Sequence, residues 1–139
     1  MRRISLRALL IGNVTDLSLW LFTTVAWLIW VRATVHHPGM TRQESVAATV
    51  AYTSRTGPQI VILCLGLLVA IVAGFVAGRV AKRNEGLHGF LATTLSLMLG
   101  ILMRWRHPRP IWFMELILVS AAAGFGGYLA RRENRSVQP

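Results

Sequence analysis

The chain has 139 residues, 54% of them hydrophobic, and a net charge of +10 from 15 lysines and arginines against 5 acidic residues. That length holds one domain, and the apolar residues arrive in unbroken stretches of the kind that cross a bilayer, about 20 residues for a core roughly 30 Å thick. A soluble chain this basic would suggest nucleic acid. Here the cations lie in the tails and connections, where anionic headgroups attract each by roughly 1 kcal/mol, so the expected partner is the lipid bilayer and no nucleic acid.

The first span is expected over residues 8–31. Its basic opening, Arg2-Arg3-Ile4-Ser5-Leu6-Arg7, resembles a signal peptide, but the apolar run exceeds an h-region, contains Asp16 and lacks a convincing small-x-small cleavage site. It therefore reads as a retained helix. Asp16 sits about eight residues in, roughly 12 Å below the edge of the core, where a charge costs several kcal/mol unless paired, hydrated or neutralised. Asn13, Asp16, Trp20 and Trp27 fall along one helical face, which is expected to point inward. Two readings stand: a proton, cation or substrate site, or a carboxyl that locks helices together.

Residues 32–58 form a polar connection. Thr41-Arg42-Gln43-Glu44 fits a capping box, predicting a short helix over 42–54 on the membrane surface or over the bundle mouth. Gly57-Pro58 is read as a stop before the second span. His36-His37 lacks the spacing of a metal site, so no metal or cofactor is expected.

The second span is expected over 59–81, the third over 87–103 and the fourth over 111–130. Gly66, Ala70, Gly74 and Gly78 step by four along the second, Ala92, Ser96 and Gly100 along the third, and Ser120 with Gly124 along the fourth. Such stripes let helix backbones approach closely, and internal packing is preferred over packing between subunits. Cys64 stands alone within the second span and excludes an internal disulfide. Ala73-Gly74-Phe75 recurs as Ala123-Gly124-Phe125, a weak echo of two similar hairpins.

The remaining polar candidates lie at helix ends. Arg79 and His88 could reach Asp16, although snorkelling is the default for Arg79 and capping or packing for His88. Glu115, about 6 Å from the opposite edge, is read as a boundary salt-bridge partner for nearby Arg104, Arg106, His107 or Arg109. The hairpin bearing Arg104, Trp105, Arg106, Arg109 and Trp112 is a candidate contact for an anionic lipid or a partner's acidic surface. Nine cations fall on the side of both termini and six on the other, so both termini are expected in the cytoplasm. Trp27, Trp30, Trp105 and Trp112 then mark the far boundary.

The expected fold is all-α: an integral membrane four-helix bundle with a short surface helix between the first and second spans. No P-loop, HExxH, dinucleotide glycine motif or ordered Ser/His/Asp set is present, which argues against an enzyme.

Several of these residues also carry a likeness. Gly12 with Asp16, then Gly74, Ala77 and Arg79, then Leu87-His88-Gly89, then Gly126-Gly127-Tyr128-Leu129-Ala130-Arg131, together with Glu115 after Trp112, resemble an uncharacterised group of small bacterial four-span membrane proteins. The likeness spans most of the apolar chain; the loop from His36 to Ser54 has no counterpart in it. It implies the four-span fold and a bacterial plasma membrane, and attaches no activity. The functional expectation is an accessory, assembly or regulatory component of a membrane complex, homo-oligomeric or larger. The alternative is a small oligomeric transporter or channel with Asp16 as its polar site.

Overall fold

The computed structural model describes residues 4–104 and 110–136, and among these the secondary structure is entirely helical. Helix α1 (Leu6–Val35) starts behind Ser5, whose hydroxyl accepts the Ala8 amide at 3.3 Å. At 1.5 Å per residue its 30 residues reach about 45 Å, so it runs past both ends of the expected span. Gly39, at φ +92°, turns the chain into α2 (Arg42–Thr53).

The capping box at α2 forms in full. Thr41 Oγ1 accepts the Glu44 amide at 3.3 Å, and Glu44 Oε2 accepts the Thr41 amide at 2.8 Å. The backbone hydrogen bond from Thr41 and then that from its side chain favour the ionised carboxylate, holding Glu44 below its ordinary pKa of 4.5.

Helix α3 (Thr56–Ala81) begins earlier than predicted. Gly57-Pro58 is not a stop ahead of it but part of its first turn, where a proline's missing N–H has no intrahelical acceptor to lose. After α3 the chain reverses through Lys82 and Asn84, both in the left-handed region at φ 54° and 52°.

The segment predicted as one helix over 87–103 is two, α4 (Glu85–Leu91) and α5 (Thr94–Arg104), interrupted at Ala92-Thr93. Side chains compete for the backbone there: Thr94 Oγ1 donates to the Leu91 carbonyl at 2.8 Å, and Asn13 of α1 reaches across to both sides of the break. Helix α6 (Pro110–Ser136) continues beyond residue 130. Trp105, Arg106 and Arg109 lie outside the described residues, as do the side chains of Arg104 and Trp112.

Three segments are long and apolar enough to cross a membrane: Leu6–Val35, Thr56–Ala81, and Glu85–Leu102 taken across the interruption. The interior supports that reading. Among the described residues, seven of the nine buried apolar residues are alanines on α3, at the α4–α5 interruption, on α6 and at the start of α1, while Leu10, Phe22, Ile29, Leu68 and Leu102 point outward, 59–73% exposed. A water-soluble bundle would bury the leucines and phenylalanines; small residues inside and large ones outside suit lipid.

Glycine makes this small core close. A Cβ on Gly89 would lie 2.6 Å from the Ala123 carbonyl oxygen and 2.8 Å from the Gly127 Cα, so α4 and α6 meet backbone to backbone. Gly74 meets the Ala123 backbone in the same manner, which makes α3 with α6 the most extensive helix pair. Gly12 of α1 fits between Ala77 and Ala92, where a Cβ would lie 2.7 and 2.8 Å from theirs.

The predicted small-residue stripes are thus only partly packing faces. Ala70, Gly74, Gly78 and Ala92 are buried, but Gly66 and Gly100 have nothing within 4 Å of an added Cβ among the described residues. Gly124 meets only Phe90, at 3.9 Å, and Ser120 is half-buried. The two Ala-Gly-Phe repeats are not structural equivalents: it is Gly126, not Gly124, that lets α6 settle on the Ile71 and Phe75 backbone.

Candidate functional site

The break between α4 and α5 frees backbone groups in the middle of an apolar segment, and α1 supplies the side chains that satisfy them. Asn13 Oδ1 accepts the Leu95 amide at 3.0 Å, while its Nδ2 donates to the Leu9 carbonyl at 2.9 Å and reaches the Leu91 carbonyl at 3.4 Å. The side-chain amide acts as a fragment of backbone on either side of the missing turn. One turn further along, Asp16 is 4% exposed and accepts a hydrogen bond from the Ser96 hydroxyl on α5. Ser96 belongs to this polar cluster rather than to a small-residue packing face. The neighbouring Thr93 is fully buried, and its hydroxyl has no hydrogen-bond partner among the described residues.

Ala8, Gly12 and Asp16 step by four along the buried stripe of α1, directly against α3 and α4. The inward face predicted through Asn13, Asp16, Trp20 and Trp27 ends there. Trp20 is 50% exposed, and Trp27, half-buried, stacks beside Trp30 with centroids 5.1 Å apart.

Neither Arg79 nor His88 joins Asp16. His88 is 1% exposed and bridges two backbone groups: Nε2 accepts the Ser5 amide at 2.9 Å, which leaves Nδ1 to donate to the Asn84 carbonyl at 3.0 Å. It ties the first residue before α1 to the reversal between α3 and α4. Arg79 Nη1 lies 2.7 Å from Glu133 Oε1, with its guanidinium 6.0 Å from the Phe75 ring centre, and both ends of this α3–α6 pair are nearly half exposed. Glu115, half-buried on α6, takes part in a polar or ring contact of its own.

Sequence reasoning missed the Glu133 and Ser5 partners, since both depend on the helix register set by Gly74, Gly89 and Gly127. It also left Gly89, Gly126 and Gly127 out of the packing set, although the Gly-Gly pair was a visible signal. Among the described residues no three His, Cys, Asp or Glu side chains gather as a metal site.

Fold and geometry thus describe a helical protein with three segments long and apolar enough to cross a membrane and a polar cluster at the interruption of one of them. Compared with known proteins, the chain matches no family model, no curated protein and no solved structure.

Proposed function

We propose that the chain crosses a bacterial plasma membrane four times, with α6 as the fourth span and both termini in the cytoplasm. In that setting it works as a non-enzymatic accessory, assembly or regulatory component of a larger membrane complex. The observation that carries this reading is the uneven use of helix surface. The glycine contacts are consumed within the chain at one end, whereas α5 packs chiefly on α1 and keeps Leu95, Met98, Leu99 and Leu102 outward, 43–73% exposed. A second copy or another subunit's helix fits there. The likeness to small four-span bacterial proteins belongs to the same proposal, since Gly12, Gly74, Gly89, Gly126 and Gly127 that carry it are the sites of closest helix approach.

The test is purification of the tagged protein in nanodiscs followed by native mass spectrometry. Stoichiometric partner subunits or a defined homo-oligomer, lost on Leu99→Ala with Leu102→Ala, support the reading; a monomer with no co-purifying protein contradicts it.

A second reading rests on Asp16. An interrupted helix beside a buried carboxylate is an arrangement used by transporters, where unwound backbone and charge line a path. In this reading Asp16→Asn abolishes proton or cation flux in proteoliposomes while assembly is kept. Equal flux from Asp16→Asn and the parent protein removes it.

A further inference from the structure

The reversal between α3 and α4 and the last turns of α6 enclose a groove of about 590 Å³ at the end of the bundle that holds Ser5 and His88. Four cations line it, Lys82, Arg83, Arg131 and Arg135, with the amides of Asn84 and Asn134 between them. Glu85 is the single carboxylate in the lining and is 8% exposed. None of the four cations pairs with a carboxylate among the described residues; the nearby acid Glu133 is taken by Arg79. Three net positive charges therefore share one concavity without a counter-ion from the protein, and their mutual repulsion is relieved by an anion.

The walls are set by bonds that have nothing to do with the cations. Asn134 Nδ2 donates to the Gly78 carbonyl at 3.4 Å, joining α6 to the end of α3, and His88 fixes the Asn84 carbonyl. Lys82 and Asn84 hold the left-handed conformation that folds the reversal tightly, so six lining residues, 82–87, follow in succession. The groove is thus a formed feature of the fold.

Its level selects the anion. Helix α3, 26 residues and about 39 Å long, outreaches a hydrocarbon core of about 30 Å, so its C-terminal cap at Lys82 stands among headgroups. Leu87 forms an apolar lip, 41% exposed, and leads from the groove toward the lipid-facing surface. A phosphate held by arginines, with acyl chains passing over leucine, is the chemistry this surface matches.

We propose that the groove binds the phosphate of an anionic phospholipid headgroup, with Arg83, Arg131 and Arg135 as its principal ligands. The site rests on the membrane-spanning reading and is independent of the accessory role.

The test uses the full chain in nanodiscs of phosphatidylcholine containing a minor share of phosphatidylglycerol, with native mass spectrometry of retained lipid. Parent protein is compared with Arg131→Gln/Arg135→Gln and, as a control at the far end, Arg32→Gln/Arg42→Gln. The expected result is at least about a tenfold enrichment of phosphatidylglycerol over phosphatidylcholine, roughly 1.4 kcal/mol, lost in the first variant and kept in the control. Enrichment unchanged in the first variant overturns the site. Displacement of the retained lipid by inorganic phosphate at millimolar concentration overturns the lipid as ligand. Failure of the parent chain to insert overturns the membrane reading and the site together.

Discussion

At Gly74, Gly89 and Gly127 the helices touch backbone to backbone, whereas at Gly66 and Gly100 an added side chain would meet nothing within 4 Å among the described residues. The same residue type at the same helical spacing thus has opposite meanings at the two ends of one molecule. At the closed end, which holds Ser5, His88 and the cationic groove, α3, α4, α6 and the first half of α1 share an alanine and glycine core. At the open end α1, α3 and α5 carry large apolar side chains outward, and α2 lies against α1 and α3. Asp16 marks the junction. A small-residue stripe permits close approach without compelling it, and what compels it here is the mutual fit of glycines on two helices.

That contrast is sharpest under substitution. Gly89→Leu forces a side chain into the Ala123 and Gly127 backbone, so a loss of more than about 3 kcal/mol and of folded yield is expected, beyond ordinary overpacking. Gly100→Leu should stay within about 0.5 kcal/mol of the parent protein. Thermal unfolding in detergent of the two variants reads the difference directly, and equal losses would break the comparison.

Next in size is the polar junction. Asn13→Leu removes the partner of the Leu95 amide and the bridge to the Leu91 carbonyl, with an expected cost of about 1–3 kcal/mol. The same thermal unfolding assay reads the loss, and an Asn13→Leu variant as stable as the parent protein would contradict the bridging role.

Smaller again is the Arg79–Glu133 pair. Because both side chains are nearly half exposed, solvent screening limits it to about 0–1 kcal/mol, and added salt should shrink that further. A double-mutant cycle with Arg79→Ala and Glu133→Ala measures the coupling; a value above about 2 kcal/mol would mean the pair is far better shielded than its exposure indicates.

The smallest effect belongs to α2. Its cap carboxylate Glu44 has a depressed pKa in the folded chain, so its contribution is present above the ordinary value of 4.5 and is lost as pH falls through the lower folded value. Amide exchange over Arg42–Thr53 should therefore rise below about pH 4.5, and Glu44→Gln should flatten that dependence.

The helical class, the apolar segments and the α2 cap were legible because each depends on residues near one another in sequence: long apolar runs, and a Thr three residues before a Glu. The interruption at Ala92-Thr93 was not, since its stabilising partner Asn13 is 78 residues from Leu91 and apolar periodicity continues across the break. Asp16 stood out as a costly residue, but its Ser96 partner could be named only once α1 and α5 were placed. Arg79 and His88 were drawn toward Asp16 by depth alone, and the actual partners, Glu133 and Ser5, follow from how α6 and α1 sit on α3 and α4. Depth locates a residue along the membrane normal; glycine fit decides which neighbour it faces.

The central claim is that the close contacts lie within one chain and at one end of it, and thiol cross-linking in native membranes tests it most directly. In a Cys64→Ser background, Arg79→Cys/Glu133→Cys should be joined by a short bis-thiol reagent into a product that still migrates as a monomer. Leu99→Cys/Ile117→Cys at the open end should remain unjoined within the chain. A dimer-sized product from the first pair, or equal monomeric cross-linking of both, would contradict the account.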